Sequence, residues 1–148
     1  GSLQRARNAA VELGAAGAVD FRGPVAKHDV PGELAQGDIF LNTSDYDNTP
    51  VSVIEAMACG LPVVSTNVGG IPHLLESGRT GLLVNPGDAE GMANAVSRLF
   101  REPELARSLG ANGRALAESF AWSIVLPQWH RLLVQVGPAS SRLPLTVR

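Results

Sequence analysis

The run from Asp47 to Ser65 constrains the fold more than any other part of the chain, because a polar loop, a short helix and an apolar strand are predicted there in turn. The helix is predicted over 50–59, since Thr49 is a favoured N-cap residue and Gly60 is a typical helix terminator. The following strand, 61–65, is apolar enough to be buried on both faces, as strands of parallel sheets are. The run predicts one helix-to-strand step of an α/β domain.

The rest of the chain continues this alternation up to residue 84. Strands are also predicted over 18–21, 38–42 and 81–84, and helices over 3–13, 30–36, 72–76, 89–100, 103–119 and 122–136. Strands that alternate with helices imply a parallel sheet covered on both faces, with ligands bound beyond the carboxyl ends of the strands. The predicted fold class is therefore α/β, a Rossmann-like sheet flanked by helices. Because the chain opens on a helix, we expect the first strand of this sheet to be missing.

The length of 148 residues suits one domain with its own core. We predict a single truncated domain over residues 1–136. The tail, residues 137–148, contains Pro, Ser and Arg without periodicity, and we predict that it is flexible.

Composition excludes several classes of protein. A net charge of −2 and a pI near 5.9 leave no basic surface for nucleic acid. No apolar run reaches the roughly 20 residues that span a bilayer, and the N-terminus does not read as a signal peptide. The single Cys59 rules out an internal disulfide and fits a reducing compartment, so we expect a cytoplasmic protein. Peripheral attachment of the parent protein to the inner membrane stays open.

The start of the 50–59 helix combines groups that suit a ligand with a charged centre and hydroxyls at both ends. Pro50 fits the first helical position, and the amides of Val51 and Ser52 would then be free to bind an anion such as a diphosphate. Glu55 would lie about 8 Å further along the axis, where it could accept hydrogen bonds from a ribose. Asp47, in the loop, could face a sugar hydroxyl. From spacing alone, solvated surface acids are the commoner interpretation.

The surrounding motifs favour the ligand site. Glu55–Thr66 closely resembles the EAMACG-PVV-T signature of family 4 glycosyltransferases (glycosyl transferases group 1). The resemblance continues, in order, through Phe21-Arg22-Gly23-Pro24-Val25, Gly37-Asp38, Gly69-Gly70-Ile71-Pro72, Gly81-Leu82-Leu83-Val84 and Phe120-Ala121-Trp122. It covers about residues 19–129.

The resemblance implies the C-terminal half of a GT-B fold, in which two Rossmann-like domains enclose the substrates. It implies a UDP-, GDP- or ADP-sugar as donor, retention of anomeric configuration, and no essential metal or cofactor. The missing partner is the N-terminal acceptor domain. We expect the parent protein to be a glycosyltransferase, and the chain alone to bind a nucleotide weakly and to transfer nothing.

Site residues follow from the same resemblance. Asp47 matches the first acid of the family's E-x7-E pattern, which contacts the transferred sugar, and is the candidate catalytic residue. It departs from the usual Glu and is shorter by one methylene. Glu55 matches the acid that holds the ribose, and Val25 matches the residue whose backbone touches the nucleobase. The intervening loop consists of Asn48, Thr49, Pro50, Val51 and Ser52. It matches the family's loop whose backbone amides face the sugar and the phosphates.

Two alternative functions remain at this stage. One is a stand-alone nucleotide-binding or interaction module derived from such an enzyme; the other is a sugar-nucleotide epimerase, which the EAMACG match disfavours. Trp122 and Trp129 share one face of the last helix. They are either an orphaned interface, which would favour a homodimer, or an anchor to the domain itself.

Several further residues receive structural interpretations. Met57 and Cys59 are predicted to be core residues, and His73 is assigned no role. Gly69-Gly70 could approach a phosphate, but a glycine pair alone is a weak signal.

Overall fold

The computed structural model describes residues 2–136, so the predicted tail lies outside the described residues. The chain divides into two compact units, Gly1–Val30 and Pro31–Arg148, and each is described by itself. The first unit contains helix α1 (Ser2–Glu12) and a 3-10 turn, Ala16–Ala18. The prediction of a single domain over residues 1–136 stays a prediction.

The second unit is built from three strands and six helices in the described part of the chain. In chain order they are α2 (Val30–Leu34), β1 (Phe40–Asn42), α3 (Val51–Ala58), β2 (Val63–Thr66), α4 (Ile71–Leu74), β3 (Leu82–Val84), α5 (Ala89–Arg101), α6 (Pro103–Glu118) and α7 (Trp122–Val136). The first residue of α2, Val30, is the last residue of the first unit. The predicted helices and strands from residue 30 onwards are all present, with ends that differ by a few residues.

The strands form one parallel sheet in the order β1-β2-β3. Phe40 pairs with Val63 between the first two strands, and Val64 pairs with Leu82 between the second and third. Helix α3 connects β1 to β2, and α4 connects β2 to β3. This arrangement confirms the predicted α/β class with a parallel sheet flanked by helices.

The hydrophobic core has two parts, one on each face of the sheet. Val63 belongs to a cluster with residues of α3 and α4, whereas its neighbour Val64 belongs to a cluster with residues of α5 and α6. Successive residues of a strand point to opposite faces, so the two clusters lie on opposite sides of β2. All four residues of β2 are buried, as the sequence predicted for this strand.

The strand predicted over 18–21 is wrong. Ala18 ends a 3-10 turn, and Val19 has an extended backbone (φ −118°, ψ 119°) that joins no sheet. A strand is stable only where a neighbouring strand satisfies its backbone groups, and none pairs with this segment within residues 2–136. Its side chains are mostly exposed as well: Val19 is 42% exposed.

Of the two core predictions for the region of α3, one is confirmed and one is wrong. Met57 is fully buried, as predicted, but Cys59 is exposed, so its assignment to the core is wrong. Cys59 caps the C-terminus of α3, two residues past Met57 and therefore about 200° around the helix axis from it.

Helix α7 exposes most of its apolar side chains within the described residues. Trp122 and Trp129 are 76% and 54% exposed, so neither indole is anchored in a core. No helix between residues 2 and 136 combines the length and the apolar character needed to cross a bilayer.

Candidate functional site

The candidate site begins where the loop after β1 enters α3. The backbone of Pro50 is extended (φ −68°, ψ 112°) and no side chain caps the helix. The carbonyl of Pro50 accepts from the amide of Val53 at 3.1 Å and from that of Ile54 at 3.4 Å. Pro50 is therefore the N-cap and Val51 the first helical residue, so the predicted N-cap role of Thr49 is wrong. The carbonyl that closes the first helical turn defines the cap, and it comes one residue later than the sequence suggested.

The first amides of α3 are free. Within residues 2–136, the amides of Val51 and Ser52 donate no hydrogen bond to the protein. Both residues are exposed. Unsatisfied amides at a helix start carry a partial positive charge, which suits an anion. That these two amides bind an anion stays a prediction.

Asp47 and Glu55 share an environment that sets them apart from the other acids in the described chain. Both are half-buried, and within residues 2–136 neither carboxylate has an ion pair or a hydrogen bond to the protein. The other acids between residues 2 and 136 are either exposed or engaged with a partner, as Glu76 is with Arg79. Partial burial without a partner weakens the solvation of a carboxylate, so these two sites are suited to accept hydrogen bonds from a ligand.

Glu55 is held by the packing of α3. Val53, Ala56 and Met57 on the same helix are fully buried. Glu55 lies beside this inner face, one turn after the exposed Val51. The carboxylate therefore sits on a helix whose position is fixed by the core.

Asp47 is held differently, through the backbone of its loop. The amide of Gly70 donates to the carbonyl of Asp47 at 3.1 Å. A Cβ at Gly69 would overlap that same carbonyl, and a Cβ at Gly70 would overlap the carbonyl of Asn48. Two glycines after β2 thus permit a close backbone approach that other residues would prevent. The Gly69-Gly70 pair is visible in the sequence, but its contact with the loop is not predictable from it.

A chain of buried hydroxyl and amide groups attaches the start of the same loop to β2. Thr66 donates to the carbonyl of Ser44 at 2.6 Å, and the hydroxyl of Ser44 donates to Asn42 Oδ1 at 2.8 Å. Asn42 in turn donates to Ser65 Oγ at 3.0 Å. These hydrogen bonds were not predicted from the sequence. The available signal was the placement of small polar residues at the ends of two adjacent apolar strands.

The structure brings most of the predicted donor-binding residues together. Asp47 to Glu55 form one continuous loop-and-helix surface beyond the carboxyl end of β1, with Asn48 and Thr49 exposed on it. Val25 belongs to the other unit, where it lies in an irregular segment and is 39% exposed. Its contact with a nucleobase stays a prediction.

Three surface depressions in the described part of the chain lie at different places relative to the carboxylates. A cleft of about 270 Å³ opens beyond the carboxyl ends of the three strands, and Thr66 and Asp45 are among its lining residues. Two larger depressions, of about 550 and 540 Å³, lie along α5 and between α4 and α6. Neither of the larger ones is lined by a residue between Thr43 and Glu55.

Comparison with known proteins identifies the family. Residues 1–102 match the family model described as "Glycosyl transferases group 1". The chain belongs to the glycosyl transferases group 1 family. The family resemblance seen in the sequence is thereby confirmed, whereas the finer assignment to family 4 stays a prediction.

Curated relatives agree with this assignment. D-inositol 3-phosphate glycosyltransferase from Corynebacterium jeikeium is 31% identical over 140 residues, which are 95% of this chain and 33% of that protein. N-acetyl-alpha-D-glucosaminyl L-malate synthase from Bacillus anthracis is 35% identical over 104 residues, covering 70% of this chain and 27% of that protein. The chain thus spans between a quarter and a third of the length of these two proteins.

Solved structures show the same fold. Sucrose-phosphate synthase from Thermosynechococcus elongatus superimposes with a TM-score of 0.84 at 33% identity, over 93% of this chain and 35% of that one. Anabaena HepE in complex with UDP-glucose superimposes with a TM-score of 0.82 at 27% identity, over 90% of this chain and 37% of that one. These matches confirm the predicted fold, that of one half of a GT-B glycosyltransferase.

Proposed function

We propose that this chain is the donor-binding domain of a retaining, metal-independent glycosyltransferase that transfers a sugar from a UDP-, GDP- or ADP-sugar. The observation that carries the proposal is a pair of half-buried carboxylates, Asp47 and Glu55, on either side of the first amides of α3. None of these groups has a partner among the described residues. Family membership and the resemblance to a UDP-glucose complex support it.

Each group has a distinct role in this proposal. Glu55 accepts hydrogen bonds from the ribose hydroxyls, and the amides of Val51 and Ser52 face the diphosphate. Asp47 accepts a hydroxyl of the transferred sugar. The positive end of α3 offsets the repulsion between the diphosphate and the two carboxylates, and it stabilises the charge that develops on the departing nucleotide.

Nucleotide binding by the chain is expected to be weak. Four of the six arginines described between residues 31 and 136 are paired with a nearby Glu, as in the Arg98–Glu102 and Arg114–Glu118 pairs. Helix amides are then the main positive groups facing the diphosphate. Transfer itself needs an acceptor site, which we place in the N-terminal domain of a longer protein.

Isothermal titration calorimetry with UDP, GDP and ADP tests the proposal. One nucleotide should bind. Glu55→Gln should lower the affinity for that nucleotide roughly tenfold or more, because a hydrogen bond to a charged group contributes about 1.5–3 kcal/mol. Glu90→Gln is the matched control, since Glu90 is an exposed and unpartnered acid in the first turn of α5. Its affinity should equal that of the unmodified chain.

Two outcomes would contradict the proposal. The first is that none of the three nucleotides binds, and the second is that Glu55→Gln and Glu90→Gln bind equally well. Titrations in EDTA and in Mg²⁺ examine the metal-independent part, and we expect the same affinity in both.

A further inference from the structure

We propose that Gly69 and Gly70 are positioning residues that set the place of Asp47 and thereby the affinity for the sugar part of the donor. This inference rests on the proposed function. It assigns to the connection between β2 and α4 a role in sugar recognition that is separate from the binding of the nucleotide.

The contact between the two backbones is direct. The amide of Gly70 donates to the Asp47 carbonyl at 3.1 Å. The missing side chains of Gly69 and Gly70 leave the space that the carbonyls of Asp47 and Asn48 occupy. Gly69 also has a φ of +53°, which other residues rarely adopt. The glycine pair therefore supports the backbone that carries the sugar-facing carboxylate.

The start of the loop is attached to the same part of the molecule. Thr66, at the end of β2, donates to the carbonyl of Ser44. Both anchors of the loop, Thr66 and Gly70, thus come from β2 and the segment that follows it. The loop that these two residues hold is short and half-exposed, so a shift of either anchor would move Asp47.

Glu55 depends on a different support. Its helix is packed through Val53, Ala56 and Met57, which are fully buried. Displacing the loop from the glycine pair would leave this packing in place. Different parts of the structure therefore position Asp47, which contacts the sugar, and Glu55, which contacts the ribose. A substitution at Gly70 should affect only the contact with the sugar.

The test compares nucleotides with their sugar derivatives by calorimetry. The probes are UDP with UDP-glucose and UDP-N-acetylglucosamine, GDP with GDP-mannose, and ADP with ADP-glucose. The unmodified chain should prefer one sugar derivative over its parent nucleotide. Gly70→Ala should weaken the binding of that derivative roughly tenfold and leave the affinity for the nucleotide unchanged. Asp47→Asn should have the same effect. The preference, and not the absolute affinity, is the readout, because a purely structural role would not change it.

Two further variants make the comparison specific. Gly32→Ala is the matched control, since a Cβ at Gly32 meets no atom within 4 Å, and it should keep the preference for the sugar derivative. Thr66→Val removes the other anchor of the loop. It should reduce the preference in the same way, and it replaces Gly70→Ala if that variant does not fold.

The outcomes separate the inference from the proposed function. If the unmodified chain binds none of the probes, the proposed function is overturned, and this inference with it. If a nucleotide binds and Gly70→Ala or Thr66→Val keeps the full preference for the sugar derivative, the inference alone is overturned. Equal binding of every nucleotide and its sugar derivative by the unmodified chain would also overturn it.

Discussion

Met57 links the helix of the candidate site to the rest of the core. It is fully buried, and its side chain lies next to Gly113 of α6, where an added Cβ would be 3.4 Å from Met57 Cγ. The environment of this one residue therefore joins α3, which carries Glu55, to a helix that packs on both core clusters.

Met57→Ala should lower the free energy of unfolding by about 2–5 kcal/mol, because it leaves a cavity where close packing is lost. Urea unfolding followed by far-UV circular dichroism measures the change. Phe100→Ala is the control, since Phe100 is 68% exposed, and its effect should stay below about 0.5 kcal/mol. Equal effects of the two substitutions would contradict the assigned packing.

Thr66 stabilises the end of the sheet through one hydrogen bond. Its side chain is buried, and its hydroxyl donates to the Ser44 carbonyl at 2.6 Å. Thr66→Val keeps the shape but removes the donor, so it should cost about 1–3 kcal/mol of unfolding free energy. The exposed Thr43, which has no hydrogen bond through its side chain in the described chain, provides the control Thr43→Val. A loss in the control as large as that in Thr66→Val would show that the hydrogen bond is not the cause.

At the scale of elements, α6 approaches the end of α3 more closely than ordinary helices could. Gly110 of α6 is buried, and a Cβ there would overlap the carbonyl of Gly60, the residue that follows α3. Gly113 is buried one turn later on the same helix. Small residues on one face of α6 therefore determine how closely the two helices pack.

Gly110→Ala should destabilise the protein by about 1–3 kcal/mol, even though alanine is the better helix former. Overlap with the Gly60 carbonyl outweighs the gain in helix propensity. Gly32→Ala in α2 should have the opposite sign, a gain of up to about 1 kcal/mol, because the position has free space. The two variants are compared by their urea midpoints, and a stabilising Gly110→Ala would overturn this account of the helix contact.

Strand formation shows why elements differ in how well the sequence predicts them. Residues 61–65 and 18–21 have similar β propensity, yet only the former region contains a strand, β2. β2 has a partner on each side and is buried on both faces, whereas residues 18–21 find no partner within the described chain. Pairing is a tertiary property, so local composition could not decide between them.

At the scale of the whole molecule, the two units differ greatly in hydrophobic burial. Ala10 is the single buried residue described in the first unit, whereas the other buried apolar residues of the described chain lie in the second. Both core clusters lie within the second unit. The stability of the described chain therefore resides in the second unit.

Deleting residues 1–30 should consequently leave a protein that unfolds cooperatively, with little change in its urea midpoint. The slope of the transition should fall only slightly, because it scales with the surface that unfolding exposes. Circular dichroism in urea, compared with the undeleted chain, measures both quantities. A broad transition or a large drop in the midpoint would contradict this distribution of stability.

By itself, the sequence determined the class of the fold, the helices and strands after residue 30, and the segment that we propose as the site. It could do so because apolar periodicity, glycine and proline positions and a family motif are local properties of the chain. The tertiary structure decided that Pro50, and not Thr49, is the N-cap of α3, and that residues 18–21 form no strand. It also showed that Asp47 rests on a glycine pair some 20 residues away in sequence. Contacts of this kind join distant parts of the chain, and no local pattern of residues encodes them.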